Sequence, residues 1–195
     1  FAKSGLSASG KGSVFSTGIL DEKEWTGDWI GASGQPDTDL NLTGAKWIWK
    51  RNGAALSASK AGKQYYRFSF TPAAGKTVES FEIAYTIDDK GELYLNGTKV
   101  SEISLWSDGR FYAGTELIKQ GVNTIAICAE NATVGYAGVV AKLRISYTDG
   151  SADTYVTDSN WKLSEKEVSG WTETDFDDSS WQSPDQAESF GVSPW

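Results

Sequence analysis

Ile87-Asp88-Asp89-Lys90-Gly91-Glu92-Leu93-Tyr94-Leu95-Asn96-Gly97 sets two adjacent carboxylates at the end of an apolar strand, then a short strand that runs into an Asn-Gly turn. Upstream, Phe81, Ile83, Tyr85 and Ile87 alternate with Glu82, Ala84, Thr86 and Asp88. That period of two predicts a half-buried strand with Asp88 on its outer face. Adjacent strand residues point to opposite faces, so an acidic pair here calls for a receiver: a cation, a hydroxyl or a set of main-chain N–H groups.

The same patterning extends outward from this stretch. Trp47-Ile48-Trp49-Lys50 and Tyr65-Tyr66-Arg67-Phe68-Ser69-Phe70 read as strands, with Trp47 and Trp49 on one face and Ile48 on the other. Val139, Ala141, Leu143, Ile145 and Tyr147 alternate against Lys142, Arg144 and Ser146. Gly121-Val122-Asn123 opens an apolar strand through Cys128, whose thiol is expected to be a small buried hydrophobe. No long segment shows helical periodicity, and Gly, Asn and Asp punctuate strands spaced about ten residues apart. These features predict an all-β fold, a β-sandwich of jelly-roll topology. Residues 1–14 read as a flexible lead-in, and 15–195 as a single module with an N-terminal approach segment at 15–44.

Composition narrows the chemistry. A chain of 195 residues can bury a full core. Its net charge of -8, with 18 basic residues nowhere clustered, argues against a nucleic-acid partner. No apolar run approaches a membrane span of about 20 residues. The absence of histidine removes Ser-His and Cys-His catalysis and nearly all zinc or copper sites. Any metal here is then held by oxygen, which favours calcium.

Several motifs in order resemble one family. Phe15-Ser16-Thr17-Gly18-Ile19-Leu20 with Trp25 and Trp29-Ile30-Gly31 is similar to the opening segment of bacterial α-L-rhamnosidases. Trp47-Ile48-Trp49, Tyr66 to Phe70, Asp88-Asp89 with Leu93 to Gly97, and Gly121 to Ala126 resemble the galactose-binding-like jelly roll attached to those enzymes. Gly170-Trp171 through Phe176-Asp177-Asp178-Ser179-Ser180-Trp181 is shared more widely among β-sandwich modules of carbohydrate-active enzymes. The resemblance implies a rhamnose-binding module whose calcium ion contacts sugar hydroxyls directly. Carried over residue by residue, it implies Asp88, Asp89 and Asn131 as calcium ligands, with a main-chain carbonyl from about Gly135 or Tyr136. It also implies a sugar-stacking aromatic near Trp106. The family has Asn where this chain has Asp89, which keeps an oxygen ligand and adds a negative charge.

Other readings stay open beside this one. Asp88 and Asp89 can cap a solvated turn, and Asn131-Ala132-Thr133, like Asn41-Leu42-Thr43 and Asn96-Gly97-Thr98, is also a glycosylation sequon. Trp171, Phe176 and Trp181 read as structural, and Asp177-Asp178 as a turn or cap. A purely structural sandwich of a glycoside hydrolase is one alternative. A protective-antigen-like adhesin lectin, which places consecutive aspartates before a strand and often joins them by a cis peptide, is another. Catalysis is not expected, because glycosidases set two carboxylates about 5 to 10 Å apart across a cleft. The expected molecule is a monomeric, secreted or cell-surface bacterial module, linked to other domains, that binds a terminal sugar.

Overall fold

The computed structural model describes residues 41–195. The lead-in and most of the approach segment, with their rhamnosidase-like motif, lie outside the described residues. Eleven strands form two antiparallel sheets. One has the order β11 (Asp185–Ser189), β1 (Lys46–Trp49), β8 (Gly138–Tyr147), β3 (Val78–Asp88), β6 (Arg110–Ala113), with β9 (Ala152–Val156) also paired to β8. The other runs β10 (Lys162–Ser164), β2 (Gly62–Phe70), β7 (Asn123–Asn131), β4 (Lys90–Leu95), β5 (Thr98–Ile103). The chain crosses from sheet to sheet at almost every connection, which gives the expected jelly-roll sandwich.

Alternation builds the core. Phe81, Ile83, Tyr85 and Ile87 of β3 and Val139, Ala141, Leu143, Ile145 and Tyr147 of β8 face Tyr66, Phe70, Leu93, Leu95, Ile125 and Ile127 of the other sheet. Each fully buried side chain of this kind stabilises by about 1.5 to 3 kcal/mol before chain entropy is counted. The β4–β5 hairpin turns at Asn96-Gly97, where φ is 51° and 87°, the left-handed pair that a two-residue turn requires. The Asn96 side chain donates to the Leu117 carbonyl and to Asn123 Oδ1, so this Asn is a turn residue.

Three sequence expectations need correction. The strand before the acidic pair is not half-buried, since every residue from Phe81 to Asp88 is buried. Its outer face lies under a second apolar cluster of Leu42, Ala45, Trp47, Ala84 and Val140, flanked by Phe111, Val156 and Trp195. Alternation shows that two faces differ but does not show what covers them. Trp47 and Trp49 also part company: Trp47 joins the outer cluster, whereas Ile48 and Trp49 both enter the core. The β1–β11 register slips between Lys46 and Ile48, which breaks the simple alternation. Cys128 is only half-buried, on the outer face of β7 against Tyr65, Ala126 and Trp171. Burial pushes its thiol up to about 11, which leaves it unreactive at neutral pH.

The C-terminal segment locks onto that outer face, as its aromatics suggested. Trp171 and Trp181 are buried with Tyr65 and Ala126. Asp177 Oδ1 accepts the Ser179 N–H, an Asx turn of the expected kind.

Candidate carbohydrate and cation site

The end of β3 is held from both sides. Asp88 is 6% exposed and lies opposite Gly138 of β8. Its Oδ2 accepts the indole N–H of Trp195 at 2.7 Å. Trp195 in turn stacks on Trp47, with centroids 4.2 Å apart and planes at 17°. Gly138 makes room for this stack, because a Cβ there would lie 2.7 Å from the Trp47 ring. The Asp88–Asp89 peptide is cis, the feature expected of the protective-antigen-like lectin alternative.

Asp89 follows at the mouth of the loop. Its Oδ2 accepts the Ala132 N–H at 2.7 Å, and its own N–H donates to the Glu130 carbonyl at 3.0 Å. Asn131 closes β7 and is 2% exposed. Both hydrogens of its amide are donated, to the Ser59 and Lys60 carbonyls at 3.1 and 3.0 Å, so its Oδ1 is the remaining polar atom. A buried Nδ2 committed in this way has no room for a glycan, which removes the sequon reading of Asn131. Gly135 forms an isolated bridge with Ser59, whose N–H takes the Gly135 carbonyl at 2.9 Å. Of the two carbonyls the resemblance implied, that of Tyr136 is the one left.

Tyr136 is 45% exposed and meets Trp195 edge-on at 6.1 Å. Trp106 is 40% exposed in a short 3-10 turn, Trp106–Asp108. The Thr86 hydroxyl donates to the Trp106 carbonyl, anchoring that turn to β3 two residues before Asp88 on the same face. All five residues singled out in the sequence therefore lie around the Asp88 end of the sandwich. Trp195, Trp47 and the Ser59–Lys60 carbonyls were missed. They are remote in sequence from the acidic pair, and no local pattern marks them.

The electrostatics of the pair are set by burial and by the two carboxyls' proximity. Burial pushes Asp88 up to about 6; the Trp195 N–H pulls it down, and the adjoining Asp89 carboxyl raises it again. Among the described residues neither aspartate has an ionic partner, and the nearby Lys90 pairs with Glu130 at 3.2 Å instead. Oδ2 of each aspartate receives an N–H, and the two carboxyls also lie within hydrogen-bond reach of each other. Nowhere among the described residues do three or more His, Cys, Asp or Glu side chains converge. A cation here would therefore need amide and main-chain oxygens, and Asn131 and Tyr136 can offer them. This all-oxygen set fits calcium.

No family model matches the chain. An α-L-rhamnosidase of Streptomyces avermitilis is 28% identical over 190 residues, covering 94% of this chain and 18% of that protein. The chain resembles the sandwich region of α-L-rhamnosidases. The structure of the Streptomyces avermitilis enzyme complexed with L-rhamnose overlays with a TM-score of 0.75 at 27% identity, over 92% of this chain and 18% of that one. A lectin from Pleurotus ostreatus in complex with GalNAc overlays with a TM-score of 0.73 at 33% identity, over 80% of this chain and 45% of that one. The chain thus spans about a fifth of the rhamnosidase and under half of the lectin. It is a lectin-like module related to rhamnosidase domains, and among the described residues no helix is long and apolar enough to cross a membrane.

Proposed function

We propose that the module is a non-catalytic, calcium-dependent carbohydrate-binding domain that captures a terminal sugar. The observation that carries the reading is a pair of aspartates, one buried and one at the loop mouth, that have no ionic partner among the described residues and share a loop cluster with Asn131 and Tyr136. Asp88, Asp89, the Asn131 amide oxygen and the Tyr136 carbonyl would hold calcium. The ion would supply a Lewis-acidic centre for vicinal hydroxyls, since calcium takes six to eight oxygens. Trp106, exposed beside the same face, would stack on the apolar side of the sugar ring. L-Rhamnose is the first candidate and a galactose-like sugar the second, in line with what the related rhamnosidase and lectin hold in their structures. The module would act outside the cell, as a monomer joined to other domains.

The test is a glycan array followed by titration of the best hit, with calcium and with EDTA, on the wild type and Asp88→Ala. Binding that disappears with EDTA and with the substitution is expected. Tight binding indifferent to both would sink the calcium reading. Absence of any glycan binding would leave the purely structural role, in which the two aspartates only cap the Trp195 and Ala132 N–H groups.

A further inference from the structure

A second cavity, of about 240 Å³, opens where β1 ends and β2 begins. Lys50, Arg51, Lys60 and Lys63 line it, against a single acidic side chain, Glu165. That is a concentration of positive charge in a protein of net charge -8. Part of this charge is already engaged. Lys50 lies 3.6 Å from Asp185, Arg51 donates to the Gln186 carbonyl, and Glu165 accepts from Asn52 at 2.9 Å. Lys60 and Lys63 are exposed and form no ion pair among the described residues. Trp49 also lines the cavity.

We propose that this cavity is a second binding subsite, one that takes a saccharide residue bearing an anionic group, a uronate carboxylate in the first instance. Its volume lies below that of drug-sized pockets, as suits a single ring. Lys60 and Lys63 supply point charges to the anion, and the Arg51 guanidinium supplies donors. Four basic side chains face one acidic one in the lining, which disfavours a cationic occupant, and the charges focus an anion rather than a neutral sugar. The subsite borders the candidate calcium site through one segment. The Ser59 and Lys60 carbonyls hold Asn131, Gly62 pairs with Asn131 and Lys63 with Glu130, while Lys60 and Lys63 line the cavity and Lys63 also borders the neighbouring groove of Glu92 and Glu130. The proposal does not depend on calcium.

The test is calorimetric titration in EDTA at low salt with D-galacturonate, D-glucuronate, galactose and galactose 6-sulfate. Uronate binding is expected, weakened at least tenfold by Lys60→Glu/Lys63→Glu and reduced at 0.5 M salt, with galactose silent. Asp88→Ala leaves it unchanged, which separates this subsite from the calcium reading. The two lysines are exposed, so an unchanged melting curve for the double variant certifies its fold. Binding of the sulfate ester alone keeps the anionic subsite and reassigns its natural ligand. Equal binding of galactose and uronate, insensitivity to charge reversal, or no saturable binding of any probe overturns the proposal.

Discussion

Asp88 carries an ionisation that the fold opposes. Its carboxyl sits at about 6 in the native state and at 3.8 in its ordinary state, so the folded protein prefers the protonated form. Its stabilising effect is complete below pH 4 and is lost as the pH rises through 6. Asp88→Asn keeps the shape and cannot ionise. At pH 7.5 without calcium, the variant should be more stable than the wild type by roughly 1 to 2 kcal/mol, and the gap should close toward pH 4; a gap independent of pH in urea titrations refutes this assignment. Calcium needs the ionised form, so its affinity should climb between pH 5 and 7 and then level off. At Asn131, substitution by Ala strands two main-chain carbonyls, costing about 1 to 3 kcal/mol along with the proposed ligand. An unchanged urea midpoint would contradict this. The acidic pair was legible from sequence because two charges ended an apolar alternation. Trp195 and the Ser59 carbonyl were not, because only the folded chain brings them near.

At the scale of elements, the C-terminal segment depends on one buried cation. Arg67 of β2 is 1% exposed; its Nε lies 2.9 Å from Asp178 Oδ2, and its guanidinium donates to the Trp171, Glu173 and Phe176 carbonyls and lies over the Phe176 ring. Removing it leaves a half-buried carboxylate and several carbonyls without a donor. Arg67→Met should therefore cost about 3 to 5 kcal/mol, and limited proteolysis should cut first between residues 165 and 181. A loss under 1 kcal/mol with an unchanged digest would show that the aromatics alone hold the segment. Those aromatics were visible in the sequence as a structural cluster. Arg67 was not, since a lone arginine in an aromatic strand reads as solvent-facing until something is seen to cover it.

At the scale of the whole molecule, the long central strands β2, β3, β7 and β8 were legible because each buries an uninterrupted inner face. The short edges were not. β10 is Lys-Leu-Ser and β11 is Asp-Gln-Ala-Glu-Ser, sequences with no β signal of their own that pair only because a neighbour presents an open edge. Calcium at the proposed site would join the two sheets at one end, since Asp88 belongs to one and Asn131 to the other. Calcium at a hundred times its dissociation constant should then add about 2.7 kcal/mol, a rise in Tm of roughly 5 to 10 °C. A calorimetric trace that EDTA does not move would refute that link.

The Trp195 indole, stacked on Trp47 and hydrogen-bonded to Asp88, has an optical consequence. Two parallel indoles 4.2 Å apart are exciton-coupled and should give a paired circular-dichroism band, which either Trp47→Phe or Trp195→Phe abolishes. The charge on Asp88 falls directly on one member of that pair. Ionisation or metal capture should therefore shift the band and the tryptophan emission together, a built-in reporter that needs no dye.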